Sequence, residues 1–342
     1  MRLKGALVGC GFFARNQLAA WRETDGVEIV AVCDQRADRA AAVASEFCIP
    51  RRYDDSAVMA AAEQLDFVDI VTTVESHRAL VELFAAHGVA VVCQKPFALD
   101  LAEGRAMVAT CASAGVPLMV HENWRWQAPL LAVQSVLTSR AIGTPEVARV
   151  AFRHAYDIYA GQPYLLKGTR LALMDIGIHV LDVARAWLGE ATRIACRTQR
   201  IDLRVTGEDS VSVLLDHEGG ARSFVDFCFA TQLHPDPFPQ TLVAIEGSAG
   251  SLRLDQGFRL IVTTGHGVRE SIVDAEVPAW GARPWHVIQD SVLRIQRHWV
   301  ECLREGRAAA TSGADNLRTL QLVELAYASA AAGRALAVEP LA

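Results

Sequence analysis

Leu7-Val8-Gly9-Cys10-Gly11-Phe12-Phe13-Ala14 decides how this chain is read. Behind the basic Arg2 and Lys4, a short apolar strand empties into a glycine turn and then a helix. The pattern is G-x-G-x-x-A. Gly9 allows the tight turn, Gly11 lets a backbone approach a pyrophosphate, and Ala14 lets the helix pack closely on the strand. Phe12 and Phe13 sit at the helix start, where unpaired N–H groups and the positive dipole end favour phosphate. A second apolar strand, Val27 to Cys33, ends on Asp34. That lies close to the ~20 residues beyond the glycines at which a carboxylate meets the adenosine ribose hydroxyls. The pattern predicts a dinucleotide site; the bland alternative is a βαβ unit with a tight turn and no ligand.

Working outward, 342 residues exceed the length at which one hydrophobic core stops growing, so two domains are expected. Apolar residues at 51% and charged residues at 21% fit an ordinary globular protein. A net charge of −6 without a basic tail argues against nucleic acid and anionic membrane surfaces as partners. No apolar run approaches the ~20 residues that span a bilayer. Leu7-Val8-Gly9-Cys10 has the wording of a lipoprotein cleavage site, but the apolar stretch before it is too short for a signal peptide. The eight cysteines form no Cys-x-x-Cys and read as buried thiols, with no disulfide frame and no metal site. A cytoplasmic location is expected.

Strands and helices then alternate. Helices are predicted over 36–47, 56–65, 75–87 and 100–114, the last capped by Asp100 with Glu103 as its capping-box partner. Strands are predicted over 67–73, 89–93 and 116–121. Such alternation means a doubly wound, mostly parallel sheet, the α/β Rossmann architecture, whose ligands bind at the carboxyl ends of the strands. Those ends carry Gly9, Asp34, Thr72, Lys95 and Glu122. The character changes after Glu122. A helix is predicted from Pro129 to about 140, and strands over 146–155, 192–205, 210–216, 221–230, 241–246, 251–255 and 258–263. Helices are expected at about 173–188, 286–305 and 315–333. This half reads as an α+β domain with a large, open, mainly antiparallel sheet. The expected division is 1–122 for nucleotide binding and 123–342 for substrate binding and oligomerisation.

Two places carry chemistry. Lys95 stands between a buried strand and Pro96, which puts an ammonium on a stiffened backbone at the rim of the cofactor crevice. Asp175, His179 and Asp182 follow i, i+4 and i+7 spacing and line one helix face. Histidine titrates near neutrality and suits taking a hydroxyl proton, while a carboxylate one turn away can orient the imidazole. Gly177 between them allows a ligand or another backbone to come close. The bland alternatives are a solvated rim lysine and a packed histidine behind a helix-start carboxylate.

Taken together, these residues resemble the Gfo/Idh/MocA oxidoreductases over nearly the whole chain. The resemblance runs through Gly9 to Ala14, Asp34, His77 inside Thr73-Val74-Glu75-Ser76-His77, Lys95-Pro96, Arg125 before Pro129, and Asp175-x-Gly177-x-His179-x-x-Asp182. It ends on Tyr327-Ala328-Ser329 to Gly333-Arg334. It implies a Rossmann domain, a sheet domain from about residue 123, and NAD(P)-linked oxidation of a sugar or cyclitol hydroxyl. Lys95, Asp175 and His179 are the catalytic residues on that pattern. Cofactor contacts are expected from Gly9, Gly11, Phe12, Phe13, Asp34, Thr72, His77, Gln94 and Lys95. Substrate contacts are expected from Glu122, Asn123, Arg125, Tyr156, Asp175 and His179.

Two departures stand out. The family usually has Glu before Lys-Pro, where this chain has Gln94, and His a few residues past the glycines, where it has Gln17. The wording Cys93-Gln94-Lys95-Pro96-Phe97-Ala98 and His121 to Gln127 resembles the subgroup that contains D-apiose dehydrogenases. Asn123, Trp124, Arg125 and Trp126 read as a sugar-facing wall or as a hinge packed with aromatics. Tyr156, Tyr159, Gln162 and Tyr164 read as a loop over the site or as a solvated loop. His154, His234, His266 and His298 lack metal-ligand spacing.

The expectation is an NAD-linked dehydrogenase of a small sugar or polyol. NADP is admitted because Arg36 and Arg39 lie near enough to Asp34 to soften its repulsion of a 2′-phosphate. A homo-oligomer, dimer or tetramer, is expected through the second domain's sheet. The alternatives are a non-catalytic nucleotide-binding regulator of the same fold, and a sugar–sugar oxidoreductase with a tightly held cofactor.

Overall fold

The computed structural model describes residues 2–341. By packing, the chain divides into two compact units: Met1–Glu122 with Val292–Arg318, and Asn123–Ser291 with Thr319–Ala342.

In the first unit the strands are β1 (Leu3–Val8), β2 (Val27–Cys33), β3 (Arg51–Tyr53), β4 (Phe67–Ile70), β5 (Ala90–Gln94) and β6 (Leu118–His121). They form one sheet in the order β3-β2-β1-β4-β5-β6, with all pairs parallel. That is the doubly wound order, with its switch point beside β1. β4, β5 and β6 are buried along their whole length, and apart from Asp69, Gln94 and His121 they are apolar. The intervening helices are α1 (Ala14–Arg22), α2 (Ala37–Phe47), α3 (Ser56–Ala62), α4 (His77–Ala86) and α5 (Leu101–Ala114). At α5 the cap closes one residue earlier than a standard box. Asp100 accepts from the Glu103 amide at 2.8 Å, but Glu103 accepts from the amide of Leu99, at 2.9 Å. The last strand would leave an open edge. Residues 311–312 return along it, where Val120 and Thr311 exchange hydrogen bonds of 2.8 Å.

The second unit holds α6 (Ala128–Thr138), α7 (Ile178–Leu188) and a nine-stranded sheet. Its strands are β7 (Pro145–Arg153), β8 (Ala191–Gln199), β9 (Ser210–His217), β10 (Arg222–Cys228), β11 (Leu242–Gly247), β12 (Gly250–Asp255), β13 (Arg259–Thr264), β14 (Gly267–Ile272) and β15 (Leu336–Ala337). The order is β14-β13-β12-β11-β7-β10-β9-β8-β15, antiparallel throughout except where β10 runs parallel to β7. The boundary between the units falls inside both remaining helices, α8 (His286–Glu305) and α9 (Gly313–Ala332).

Three expectations are corrected. The strand predicted over 192–205 stops at Gln199, because buried Asp209 takes the amides of Ile201 and Asp202, each at 2.7 Å, and turns the chain. β14 adds a strand that alternation did not reveal, since all six of its residues are exposed. The helix predicted from 173 begins as a π-turn, Leu173–Gly177, before becoming α-helical at Ile178.

Candidate active site

The dinucleotide end is built almost wholly from backbone. Gly9 has φ +98°, and a Cβ there would lie 2.7 Å from the Val71 carbonyl, so only glycine fits. At Gly11 the opposite holds: a Cβ would meet no protein atom within 4 Å, leaving the space above the turn open to a ligand. The Phe13 side chain at the start of α1 makes no capping hydrogen bond, and this helix start faces the glycine turn, where phosphate is favoured. Asp34 is fastened at this rim by two amides, Cys10 to one oxygen at 2.7 Å and Arg36 to the other at 2.9 Å. Each carboxylate oxygen keeps a further lone pair for a ribose hydroxyl. These features fit a dinucleotide. Arg36 itself is turned away to Asp38, at 2.7 Å. Burial, then the Asp34 charge, pushes the Cys10 thiol up to about 12, so it stays protonated beside the turn.

Thr72 and Lys95 lie at the ends of β4 and β5. The Thr72 hydroxyl accepts from Ser76 at 2.7 Å. His77 is fully buried, with one ring nitrogen 3.1 Å from the Thr72 carbonyl and the other 3.3 Å from that of Phe97. The geometry therefore gives His77 a bracing role between two loops. Burial holds its pKa below the usual histidine value despite those carbonyls. Gln94 folds back so that its Oε1 accepts from the Lys95 amide at 2.9 Å, while its buried Nε2 has no protein partner. Gln17 is buried as well and accepts from Gln296 Nε2 at 2.7 Å, so it packs α1 against α8. Glu122, at the end of the sheet, is wholly enclosed.

The second unit's site is built from side chains that lock one another. His179 is buried on α7, and Trp124 stacks face-on against its ring, with centroids 4.1 Å apart and planes within 15°. Trp124 is fixed in turn by Thr241, which accepts from its Nε1 at 3.0 Å, and by the edge of Phe152. Thus Trp124 supports the histidine and is itself buried, instead of walling a sugar. Asn123 donates through its Nδ2 to the Ser291 hydroxyl at 2.6 Å. Arg125 grips Asp182 through two hydrogen bonds of 2.5 and 2.6 Å, so this pair clamps the 123–126 turn to α7. Burial pushes Asp182 up. The charges and hydrogen bonds of Arg125, with Arg185 and Thr319, outweigh it and hold Asp182 below the usual carboxylate range.

Gly177 makes room for a neighbour of another kind than expected. A Cβ there would come within 2.7 Å of the Phe227 ring on β10, so the glycine seats the helix on the sheet. Asp175, on the π-turn, is half-buried. Tyr156 is partly exposed and lies flat on Phe238, 4.2 Å away and within 5° of parallel, with Trp285 edge-on at 6.3 Å. Phe238 and Trp285 lie in segments without periodicity, so residue pattern alone does not mark them. His154 is boxed by Phe152, Phe229 and Phe238, and burial pushes its pKa down to about 4. Two cavities of about 550 Å³ occur in this unit, and neither is lined by Asp175 or His179. Among the described residues no helix is long and apolar enough to cross a membrane.

Residues 3–122 match the oxidoreductase family with an NAD-binding Rossmann fold, Gfo/Idh/MocA, and residues 130–253 match the Gfo/Idh/MocA C-terminal domain. The chain belongs to the Gfo/Idh/MocA family. Its first unit is that family's NAD-binding Rossmann domain. It is 52% identical to a D-apiose dehydrogenase of Rhizobium rhizogenes over 332 residues, which cover 97% of this chain and 96% of the relative. A D-apiose dehydrogenase of Paraburkholderia graminis is also 52% identical, over 99% of this chain and 91% of that one. Among solved structures, an oxidoreductase from Agrobacterium radiobacter in complex with NAD+, L-tartaric acid and magnesium superposes with a TM-score of 0.98. It is 51% identical over 98% of each chain.

Proposed function

We propose that this Gfo/Idh/MocA oxidoreductase is an NAD-preferring dehydrogenase that oxidises a hydroxyl of a small sugar, with D-apiose as the first substrate to try. The observation that carries the reading is His179, buried, held flat against Trp124, and placed on the helix that the Asp175 turn begins. The extended identity to two D-apiose dehydrogenases supports the sugar.

In this reading Gly9, Gly11 and the first amides of α1 hold the pyrophosphate, and Asp34 accepts from the ribose hydroxyls. Bound nicotinamide supplies the hydride acceptor. His179, as neutral imidazole, takes the proton of the hydroxyl being oxidised, and Asp175 orients it. Lys95 donates to the same oxygen and stabilises it as it becomes alkoxide-like. Tyr156, backed by Phe238, offers a flat ring to the C–H face of a sugar. A screen of D-apiose, other aldoses, cyclitols and sugar acids for NADH formation tests this. Absence of turnover across the panel, with NAD binding intact, would return the chain to the class of nucleotide-binding regulators. Nucleotide released only on denaturation would point to a tightly held, internally recycled cofactor.

The same reading includes a cytoplasmic homo-oligomer, dimer or tetramer. All eight cysteines are unpaired, which suits a reducing compartment. The sheet face bearing Phe224, 44% exposed, and the Arg153–Asp226 pair is the expected contact. Light scattering after gel filtration reads the subunit number.

A further inference from the structure

Asp175 rides on a π-turn, a wider helical turn that is intrinsically poor and that persists where something holds it. Its own N-terminal residue, Ala172, has no side chain with which to cap it. The holder comes from elsewhere in the second unit. One oxygen of Glu208 accepts from the amides of Leu171, at 3.1 Å, and Leu173, at 3.0 Å. Between them the Ala172 amide donates to the Glu208 backbone carbonyl at 3.0 Å. Three successive amides are therefore fixed by a single residue, satisfying donors that a helix start would otherwise leave unpaired. A carboxylate at that end also complements the helix dipole.

Glu208 is itself prevented from moving. It is only 9% exposed, and the Tyr327 hydroxyl donates to the same oxygen at 2.7 Å. Arg170 covers the Tyr327 ring at 4.2 Å and pairs with Glu324 at 2.6 Å. Gly207, just before it, is pressed against the chain: a Cβ there would lie 2.6 Å from the Gly168 carbonyl. The Thr206 amide reaches the Leu166 carbonyl at 3.0 Å.

We infer that Glu208, aimed by Tyr327, is a positioning residue that keeps the Asp175-bearing turn in its π register. The register matters because each residue of an α-helix advances about 100° around the axis. Were the turn to tighten to α-helical, Asp175, which lies within it, would swing by a fraction of that angle relative to His179. It would stay on the broad face it shares with the base, four residues on, but lose the offset that the wider turn sets. This inference rests on the reading of Asp175 and His179 as the catalytic pair.

The test compares Glu208→Ala, Glu208→Gln, Tyr327→Phe and His179→Ala in the full-length enzyme, with NAD titrated separately. Glu208→Ala should lower kcat for sugar oxidation about 100-fold, the order expected when a reacting group is misplaced by an ångström. KM for the sugar should change less, and NAD affinity should hold. Glu208→Gln keeps an oxygen for the two amides and should recover activity to within about fivefold. Tyr327→Phe should fall between them, and it keeps the inference testable if Glu208→Ala does not fold. Folded Glu208→Ala or Tyr327→Phe protein with wild-type kcat would overturn the inference, as would Glu208→Gln as impaired as Glu208→Ala. If His179→Ala also turns over normally, the catalytic reading of the pair fails instead.

Discussion

Asp69 in the first unit and Asp182 in the second are both completely buried, yet their carboxyls are pushed in opposite directions. Asp69 lies in the middle of β4 with one hydrogen-bond donor, the Trp21 indole at 2.7 Å, and its other oxygen has no partner. Burial pushes it up to about 7, only partly offset by that indole. Asp182 is buried as deeply, but Arg125, Arg185 and Thr319 surround it and hold it ionised. The difference reflects how each unit builds its site. The Rossmann unit keeps an apolar interior and offers its ligand mostly backbone atoms, at Gly9, Gly11 and the start of α1. The sheet unit presents side chains, and holds them with other charged and aromatic side chains. Catalytic loss should therefore concentrate where side chains do the work, and changes in the apolar interior of the first unit should leave turnover alone.

The largest effect is expected at His179. His179→Ala should lower the oxidation rate by roughly 10²–10⁴, the usual contribution of a positioned acid–base group. His179→Asn is the sharper variant, since it stays polar but cannot shuttle a proton near neutrality. Wild-type oxidation should fall as pH drops through the imidazole's titration, while the reverse reaction, which needs the protonated ring, tolerates lower pH. NAD affinity should be unchanged in both variants. Variants that keep the wild-type rate and acid limb would place the base elsewhere. Next comes Lys95, the one side chain of the first unit assigned to the reaction. Lys95→Ala should lower kcat by roughly 10²–10³, as when a single oxyanion donor is lost. Near-normal kcat would make it a rim lysine and leave all the chemistry in the second unit.

The same division decides what was legible in the sequence. The glycine turn, the carboxylate ending β2 and the buried strands could be read because each requirement is local: a φ of +98° at Gly9, or an unbroken apolar run in β5. β3, three residues long and polar, escaped for want of any such run. In the second unit the decisive partners lie far apart along the chain. Arg125 meets Asp182 across 57 residues, Trp124 meets Thr241 across 117, and Glu208 meets Tyr327 across 119. Residue type leaves Arg125 and Trp124 open between a sugar-facing wall and a hinge packed with aromatics. Only folding shows that one pairs with Asp182 and the other stacks on the histidine. The π-turn was unreadable for the same reason, since Glu208 sits 35 residues beyond Leu173.

A smaller effect tests the first unit's claim on the cofactor. Asp34 repels a 2′-phosphate, and Arg36, paired with Asp38, does little to relieve it. Wild-type kcat/KM should favour NAD over NADP. Asp34→Ser should narrow that ratio by about tenfold, equivalent to ~1.4 kcal/mol. Equal values for the two nucleotides in the wild type would sink the assignment.

The smallest effect on turnover is expected at Asp69, where kcat should not change and only stability should respond. With a folded pKa of about 7 against an unfolded value of ~3.9, the native state keeps a proton that the unfolded chain has released. A raised pKa makes this contribution full below about pH 4 and loses it as pH rises towards 7, at ~1.4 kcal/mol per pH unit. Asp69→Asn removes the titration and keeps an oxygen for the Trp21 indole, but leaves an amide donor without a partner, costing about 1–3 kcal/mol. The variant should therefore be the less stable protein near pH 4.5 and should match or exceed wild type by pH 8. Stability differences between the two proteins, measured by denaturant or heat across that range, isolate this group because every other titration is shared. Parallel curves would mean that Asp69 has one charge state throughout. A fall in kcat would mean that the apolar interior of the Rossmann unit is coupled to turnover after all.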